Sequence, residues 1–103
     1  MEEIKLNKSN LNKIIKWSTS RWNNFKKSDV VELIIKGMNE GKLNGQTEYL
    51  FHSGSYCECS SMSRFSEYVV NFENKTIIEC WTEELDDEPG YKIEKIINEW
   101  IVK

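Results

Sequence analysis

The sequence predicts an α+β fold: a small antiparallel sheet of three to four strands covered by an N-terminal helix, a second helix and a C-terminal helix. Three observations support this. Apolar side chains recur at helical spacing through much of residues 1–45, aromatic, β-branched and hydroxyl residues dominate from Gln46, and helical spacing returns after Pro89. A chain of 103 residues is long enough for one hydrophobic core, so a single domain over residues 1–103 is expected.

The first helix is predicted from Ser9 to Phe25. Apolar residues three or four positions apart form a stripe, and lysines occupy the opposite side. Ser9 is a suitable N-cap residue, and the lysines near the end suit the C-terminal end of a helix dipole. The stripe consists of Leu11, Ile14, Ile15, Ser18, Trp22 and Phe25.

The second helix is predicted within residues 28–45, although its β-branched residues are also typical of strands. Read as a strand, the segment has apolar residues on both faces, whereas a helix gathers them on one. Ser28 or Asp29 would cap such a helix, and Gly41 or Gly45 would end it. The apolar face consists of Val30, Val31, Ile34, Ile35 and Met38.

A β-hairpin is predicted from residues 64–73 and 76–82, turning around Asn74. The apolar face should set its register, because a shift of one residue moves every side chain to the other face. A two-residue loop mixes the faces, whereas a three-residue loop pairs Tyr68 with Cys80 and leaves one face apolar. The preferred register therefore directs Cys80 into the core.

The C-terminal helix is predicted to begin at Pro89. Proline suits the first position of a helix, and the acidic residues before it complement the helix N-terminus. The residues that follow place apolar side chains at helical spacing. This stripe consists of Ile93, Ile96, Ile97, Trp100 and Ile101.

The charge distribution predicts a surface that binds a basic partner. The net charge of the chain is −3, but residues 76–103 carry three lysines against eight acids. Five carboxylates fall within the six residues of the run EELDDE, here called the acidic run (residues 83–88). Such a run speeds association with a cationic partner, and neighbouring aromatic residues are typical interface anchors. The predicted partner-binding residues are Trp81, Glu83, Glu84, Asp86, Asp87, Glu88 and Tyr91.

The segment FHSGSYCECSSMS suggests metal or nucleophile chemistry, since it holds the single histidine and two of the three cysteines. With Cys80, these residues could form a Cys3His zinc site, although C-x-C spacing differs from the usual C-x2-C. In one straight strand, His52 has opposite parity to Cys57 and Cys59. A turn at Ser53-Gly54 would bring all three to one face. Structural cysteines that behave as small hydrophobic residues are the favoured interpretation, and no family signature supports a cysteine nucleophile.

Two further classes of function are disfavoured. The basic first helix suggests nucleic-acid binding, but the chain is acidic overall and has two arginines. Its glycines lack the order of a phosphate-binding loop. The residues of the nucleic-acid alternative, here called the basic set, are Lys13, Lys16, Arg21, Lys26 and Lys27 together with the aromatic residue Trp17.

The start of the chain lacks the apolar stretch of a secretory signal, and no run is long enough to cross a bilayer. We therefore expect a cytoplasmic protein of a bacterial or phage-infected cell, with reduced thiols.

The sequence thus favours a small acidic protein without enzymatic activity or cofactor that binds another protein, as a monomer or homodimer. A basic nuclease, or another defence or toxin protein, is the expected partner, as for immunity proteins and phage anti-defence inhibitors of the anti-CRISPR type. One alternative is a small-ligand or zinc-binding domain built around His52, Cys57 and Cys59. A second alternative is nucleic-acid binding through the basic first helix.

Overall fold

The computed structural model describes the backbone of residues 1–15, 27–56, 62–85 and 92–103, and their side chains except at positions 27, 52–56, 62–65, 83–85 and 92–93. No helix in these ranges is long and apolar enough to span a bilayer. The elements in chain order are β1 (Glu2–Ile4), α1 (Lys8–Ile14), α2 (Lys27–Glu40), β2 (Glu48–Tyr56), β3 (Met62–Asn71), β4 (Thr76–Leu85) and β5 (Lys92–Val102).

The five strands form one mixed sheet in the order β1-β5-β4-β3-β2. The pairs β2–β3, β3–β4 and β4–β5 are antiparallel, and β1 pairs with β5 in parallel. The α+β class is confirmed. The expected three to four strands, a purely antiparallel sheet and three helices are corrected to five strands, a mixed sheet and two helices in the described parts of the chain.

The helix α1 begins at a different cap from the one expected. Asn7 is its N-cap residue, and the Asn7 Oδ1 accepts a hydrogen bond from the backbone N–H of Asn10 at 2.8 Å. Ser9, the expected cap, lies inside the helix. The described helix ends at Ile14, because Ile15 is its C-cap residue with an extended backbone, so the predicted continuous helix from Ser9 to Phe25 is wrong at this point. Residues 16–25 of that prediction lie outside the described residues.

The helix α2 confirms the prediction of a second helix over a strand. Its buried side chains recur at helical spacing and pack against the sheet. The helix ends where expected, at Gly41, whose φ of +78° is readily adopted only by glycine. The Gly41 N–H donates to the carbonyl of Gly37 at 2.8 Å and closes the last turn.

The hairpin of β3 and β4 is confirmed, but its expected register is wrong. Residues 72–75 form a four-residue turn, so Val70 pairs with Ile77 and Tyr68 pairs with Glu79. A carboxylate therefore occupies the core-facing position that the apolar-face criterion assigned to Cys80. The inner face accommodates this acid because polar side chains bind it there.

The C-terminal element is a strand, so the predicted C-terminal helix is wrong. The pairing of β5 with β4 shifts by one residue: Glu79 pairs with Asn98 and Cys80 pairs with Ile96, which leaves Ile97 as the extra residue of a β-bulge. A bulge reverses the alternation of faces along a strand. The residues of the predicted stripe lie on both faces of this strand, since Ile96 pairs with Cys80 on one face and Trp100 pairs with Ile77 on the other. Their helical spacing therefore does not mark a single apolar face.

The helices pack on one face of the sheet, here called the inner face. The Phe51 and Tyr68 rings stack at its centre, with centroids 5.1 Å apart. The core combines this face with both helices, and its buried hydrophobic residues are Leu11, Ile15, Val30, Val31, Ile34, Met38, Leu43, Phe51, Tyr68, Val70, Phe72, Ile77, Trp100 and Val102. The described helices all pack on this side, and none of them covers the opposite side of the sheet.

Candidate functional site

The uncovered side of the sheet, here called the outer face, exposes apolar side chains. Leu50 on β2 and Ile96 on β5 are 52% and 56% exposed, the largest exposures among described bulky hydrophobic residues after Met1. Between them lie two partly exposed residues, Val69 on β3 and Ile78 on β4. The strand register places Leu50, Val69 and Ile78 in one row across three adjacent strands. Exposed apolar groups in such an arrangement are typical of an interaction surface.

An open groove of about 350 Å³ crosses the outer face over β3, β4 and β5. Its lining combines apolar side chains with carboxylates and one lysine. The residues that line it are Glu67, Val69, Cys80, Glu94, Lys95 and Ile96.

Carboxylates lie around the exposed apolar residues of the outer face. The register places five glutamates on the outer face, and they come from β1, β2, β3 and β5. Two cations lie close by: Lys95, which lines the groove although its register position opposite Trp81 is on the inner face, and Lys103, whose Nζ is 2.9 Å from the Glu3 carboxylate. The described part of the outer face is therefore acidic, and its glutamates are Glu3, Glu48, Glu67, Glu94 and Glu99.

Cys80 lies near these carboxylates, and they affect the ionisation of its thiol. Burial raises the pKa of the Cys80 thiol, and the carboxylates of Glu67, Glu94, Glu79 and Glu99 raise it further. A thiolate would add a further negative charge beside these four carboxylates, so the neutral thiol is favoured. Cys80 is a half-buried free cysteine, and this environment opposes nucleophile chemistry there.

The predicted zinc residues fall into two groups. His52 pairs with Glu67 and Glu67 with Cys80, so these three residues occupy one row across β2, β3 and β4. The alternative turn at Ser53-Gly54 is wrong, because β2 continues without interruption to Tyr56. The described residues contain no group of three or more His, Cys, Asp or Glu side chains that could hold a metal ion. Cys57 and Cys59 lie outside the described residues.

The predicted partner-binding residues begin in β4. Trp81 is half-buried and lies opposite Ser66, on the inner face. Glu83 and Glu84 continue β4, paired with Arg64 and Ser63. The remaining members, Asp86, Asp87, Glu88 and Tyr91, lie outside the described residues.

The basic set of the nucleic-acid alternative is also divided. Lys13 lies in the last turn of α1, and Lys27 is the first residue of α2. Lys16, Trp17, Arg21 and Lys26 lie outside the described residues.

A polar cluster centred on the buried Glu79 occupies the inner face, on the opposite side of the sheet from the groove. The Tyr68 hydroxyl donates to Glu79 Oε2 at 3.1 Å, and the Asn98 amide donates to Glu79 Oε1 at 2.9 Å. Tyr68 and Glu79 are both completely buried. The two donors satisfy both oxygens of a carboxylate that has left water, which makes the cluster a part of the core that fixes the register of three strands.

Sequence reasoning missed the outer-face glutamates Glu67, Glu94 and Glu99 as a group. They are far apart in the chain, and only the pairing of β3, β4 and β5 brings them together. The available signal was the spacing of two residues between Glu94 and Ile96, which places both on one face of a strand. The helical interpretation of that segment concealed it.

The chain matches no protein-family model, no curated protein sequence and no solved structure. The function of the outer face is therefore inferred from its own residues.

Proposed function

We propose that this protein acts by binding another protein that carries a basic surface, and that it occludes that surface. The open outer face is the observation that carries the proposal: exposed Leu50 and Ile96 lie among glutamates on the side of the sheet that the described helices leave uncovered. The exposed apolar residues and the glutamates around them have different roles. Burial of the apolar side chains contributes affinity, and the carboxylates select cationic partners.

The size of the surface also supports a protein partner. Four strands about 4.8 Å apart and nine residues about 3.3 Å each give a face of roughly 600 Å². A stable interface buries about 800 Å² on each partner. The acidic run begins within β4, at Glu83, about 10 Å along the strand from Cys80. The outer face and the acidic run together would provide the required area.

The groove identifies the kind of side chain it accepts. A lysine or arginine has an aliphatic stem that suits Val69 and Ile96, and a cationic end that suits Glu67 and Glu94. A protein whose own ligand is polyanionic presents many such side chains. We therefore propose as partner a nuclease or another defence or toxin protein, whose basic groove this protein would cover in the manner of an immunity protein or a phage inhibitor.

The test captures partners from a bacterial lysate on immobilised wild-type protein and on three charge-reversed variants. One variant reverses the outer face, with Glu67→Lys, Glu94→Lys and Glu99→Lys. A second reverses the acidic run, with Asp86→Lys, Asp87→Lys and Glu88→Lys. The control changes the net charge equally on exposed residues of α2 and the β3–β4 turn, with Glu32→Lys, Glu40→Lys and Glu73→Lys.

The expected result is a basic protein that the wild type and the control retain and that the outer-face variant loses. Its enzymatic activity should fall when wild-type protein is added. Equal retention by the outer-face variant and the control would remove the outer face from the proposal. Loss on the acidic-run variant alone would restrict the contact surface to the acidic run.

A further inference from the structure

The two edges of the sheet differ in how they are protected against pairing with other strands. At one edge, β1 covers only the last three positions of β5, and β5 carries two lysines and a bulge. Lysines and bulges discourage the addition of a strand. At the other edge, β2 runs nine residues with no bulge, no lysine and no proline. Among described residues, no strand pairs with its outer side.

The hydrogen bonds of β2 show which backbone groups point outward. The N–H of Phe72 donates to the carbonyl of Thr47 at 2.8 Å, so this pair is a hydrogen-bonded pair of the β2–β3 ladder. Such pairs alternate in an antiparallel ladder, and the intervening residues direct both backbone groups to the other side. The residues of β2 that present N–H and C=O groups to the open edge are therefore Glu48, Leu50, His52, Gly54 and Tyr56.

This set is symmetric about His52. If a second β2 approaches in the antiparallel direction with the twofold axis at His52, Glu48 faces Tyr56 of the second copy and Leu50 faces its Gly54. Every outward residue then meets another outward residue, so each exposed N–H and C=O along the strand is satisfied. The strand is thus self-complementary over its whole length.

Charge and shape favour the same pairing. Glu48, the one charged residue of β2, faces a tyrosine in this register and lies far from its own copy, so like charges do not meet. Leu50, which is 52% exposed, lies beside Gly54 of the second copy, where no side chain competes for the space.

We propose that two copies of this protein pair through the outer edge of β2 and form a continuous ten-stranded sheet. The twofold axis is perpendicular to the sheet, so both outer faces lie on the same side. The dimer presents two apolar, acidic surfaces side by side. This inference rests on the edge of the sheet and is independent of the partner proposed for its face.

The experiment uses cysteine cross-linking in the full chain with Cys57→Ser, Cys59→Ser and Cys80→Ala. In the proposed register, residue 52 lies about 5.5 Å from its own copy between Cα atoms, within the range of a disulfide. Residue 48 lies about 27 Å from its own copy. Mild oxidation should therefore convert the His52→Cys variant into a covalent dimer and leave the Glu48→Cys variant monomeric. A mixture of Glu48→Cys and Tyr56→Cys chains should cross-link to each other.

Sedimentation of unmodified wild-type protein over a concentration series should give twice the mass of one chain at high concentration. Leu50→Pro should abolish the dimer and keep the fold, because the lost N–H points to the open edge rather than to β3. Leu50→Lys provides a second variant that disfavours edge pairing without constraining the backbone. A wild-type monomer at all concentrations, or equal cross-linking at positions 48 and 52, would overturn the proposal.

Discussion

Tyr68 and Glu79 face each other across the β3–β4 hairpin, and the tyrosine hydroxyl donates a 3.1 Å hydrogen bond to the carboxylate inside the core. Asn98 on the next strand donates to the other carboxylate oxygen. This relationship connects three strands in one register. A shift of one residue would remove both donors from a buried acid, so the cluster disfavours every alternative pairing of these strands.

The Tyr68→Phe substitution should lower the free energy of unfolding by about 1–3 kcal/mol, since a buried carboxylate oxygen loses a donor. Tyr49→Phe is a matched control, because the Tyr49 hydroxyl is half-buried and makes no hydrogen bond with described residues. It should change stability by less than about 0.5 kcal/mol. Denaturant unfolding measures both, and equal losses would contradict the assigned role of the cluster.

The Gly37→Ala substitution should destabilise the protein despite the preference of alanine for helices. A Cβ atom built on Gly37 overlaps the buried ring of Phe72, so α2 cannot keep its distance from the sheet. Overpacking of this kind costs about 1–3 kcal/mol and exceeds the propensity gain of about 1 kcal/mol.

The Gly37→Ala and Phe72→Leu double-mutant cycle measures this contact directly, because the smaller leucine leaves room for the new methyl group. Lys36→Ala, on the exposed side of α2, is the neutral control. A stabilising Gly37→Ala, or the absence of coupling with Phe72→Leu, would show that the helix lies farther from the sheet.

The Cys80 thiol should react slowly with alkylating reagents, because only the thiolate is nucleophilic and the pKa is raised by burial and then by Glu67. In a Cys57→Ser, Cys59→Ser background, the alkylation profile should lie at higher pH than that of a free thiol, whose pKa is about 8.5. Glu67→Gln should shift the profile toward lower pH and raise the rate at a fixed pH of about 8.

The control for this experiment is Glu32→Gln on α2, which lies away from the groove and should leave the profile unchanged. The raised pKa also sets the direction of the pH dependence of stability. The neutral thiol is favoured in the fold, so its contribution is present below the unfolded pKa and is lost as the pH rises through the folded value. A profile at or below that of a free thiol would contradict the acidic environment of the groove.

The sequence predicted the elements whose pattern follows one simple period. The buried residues of α2 recur at helical spacing over its whole length, and Gly41 ends the helix with a positive φ, so both its type and its end were predictable. The strands β3 and β4 are rich in β-branched and aromatic residues and flank a turn that contains Glu73, Asn74 and Lys75. The α+β class follows from these elements.

The other elements depend on contacts that a single sequence does not contain. The three residues of β1 become a strand only because β5 supplies their partners. In β5, apolar residues lie on both faces and a bulge at Ile97 shifts the alternation, so the segment does not show the simple period of a strand. The register of the hairpin depends on the burial of Glu79, which an apolar-face criterion rejects. The outer face was missed for the same reasons, since it is assembled from β3, β4 and β5.

The association rate with the captured partner tests the central claim most directly. Wild-type protein, the outer-face variant and the charge-matched control are measured by rapid mixing at low and high ionic strength. The outer-face variant should associate at least about tenfold more slowly than the control at low salt, with the difference shrinking at high salt, because electrostatic steering is screened. Equal association rates for the two variants at low salt would contradict a functional role for the outer face.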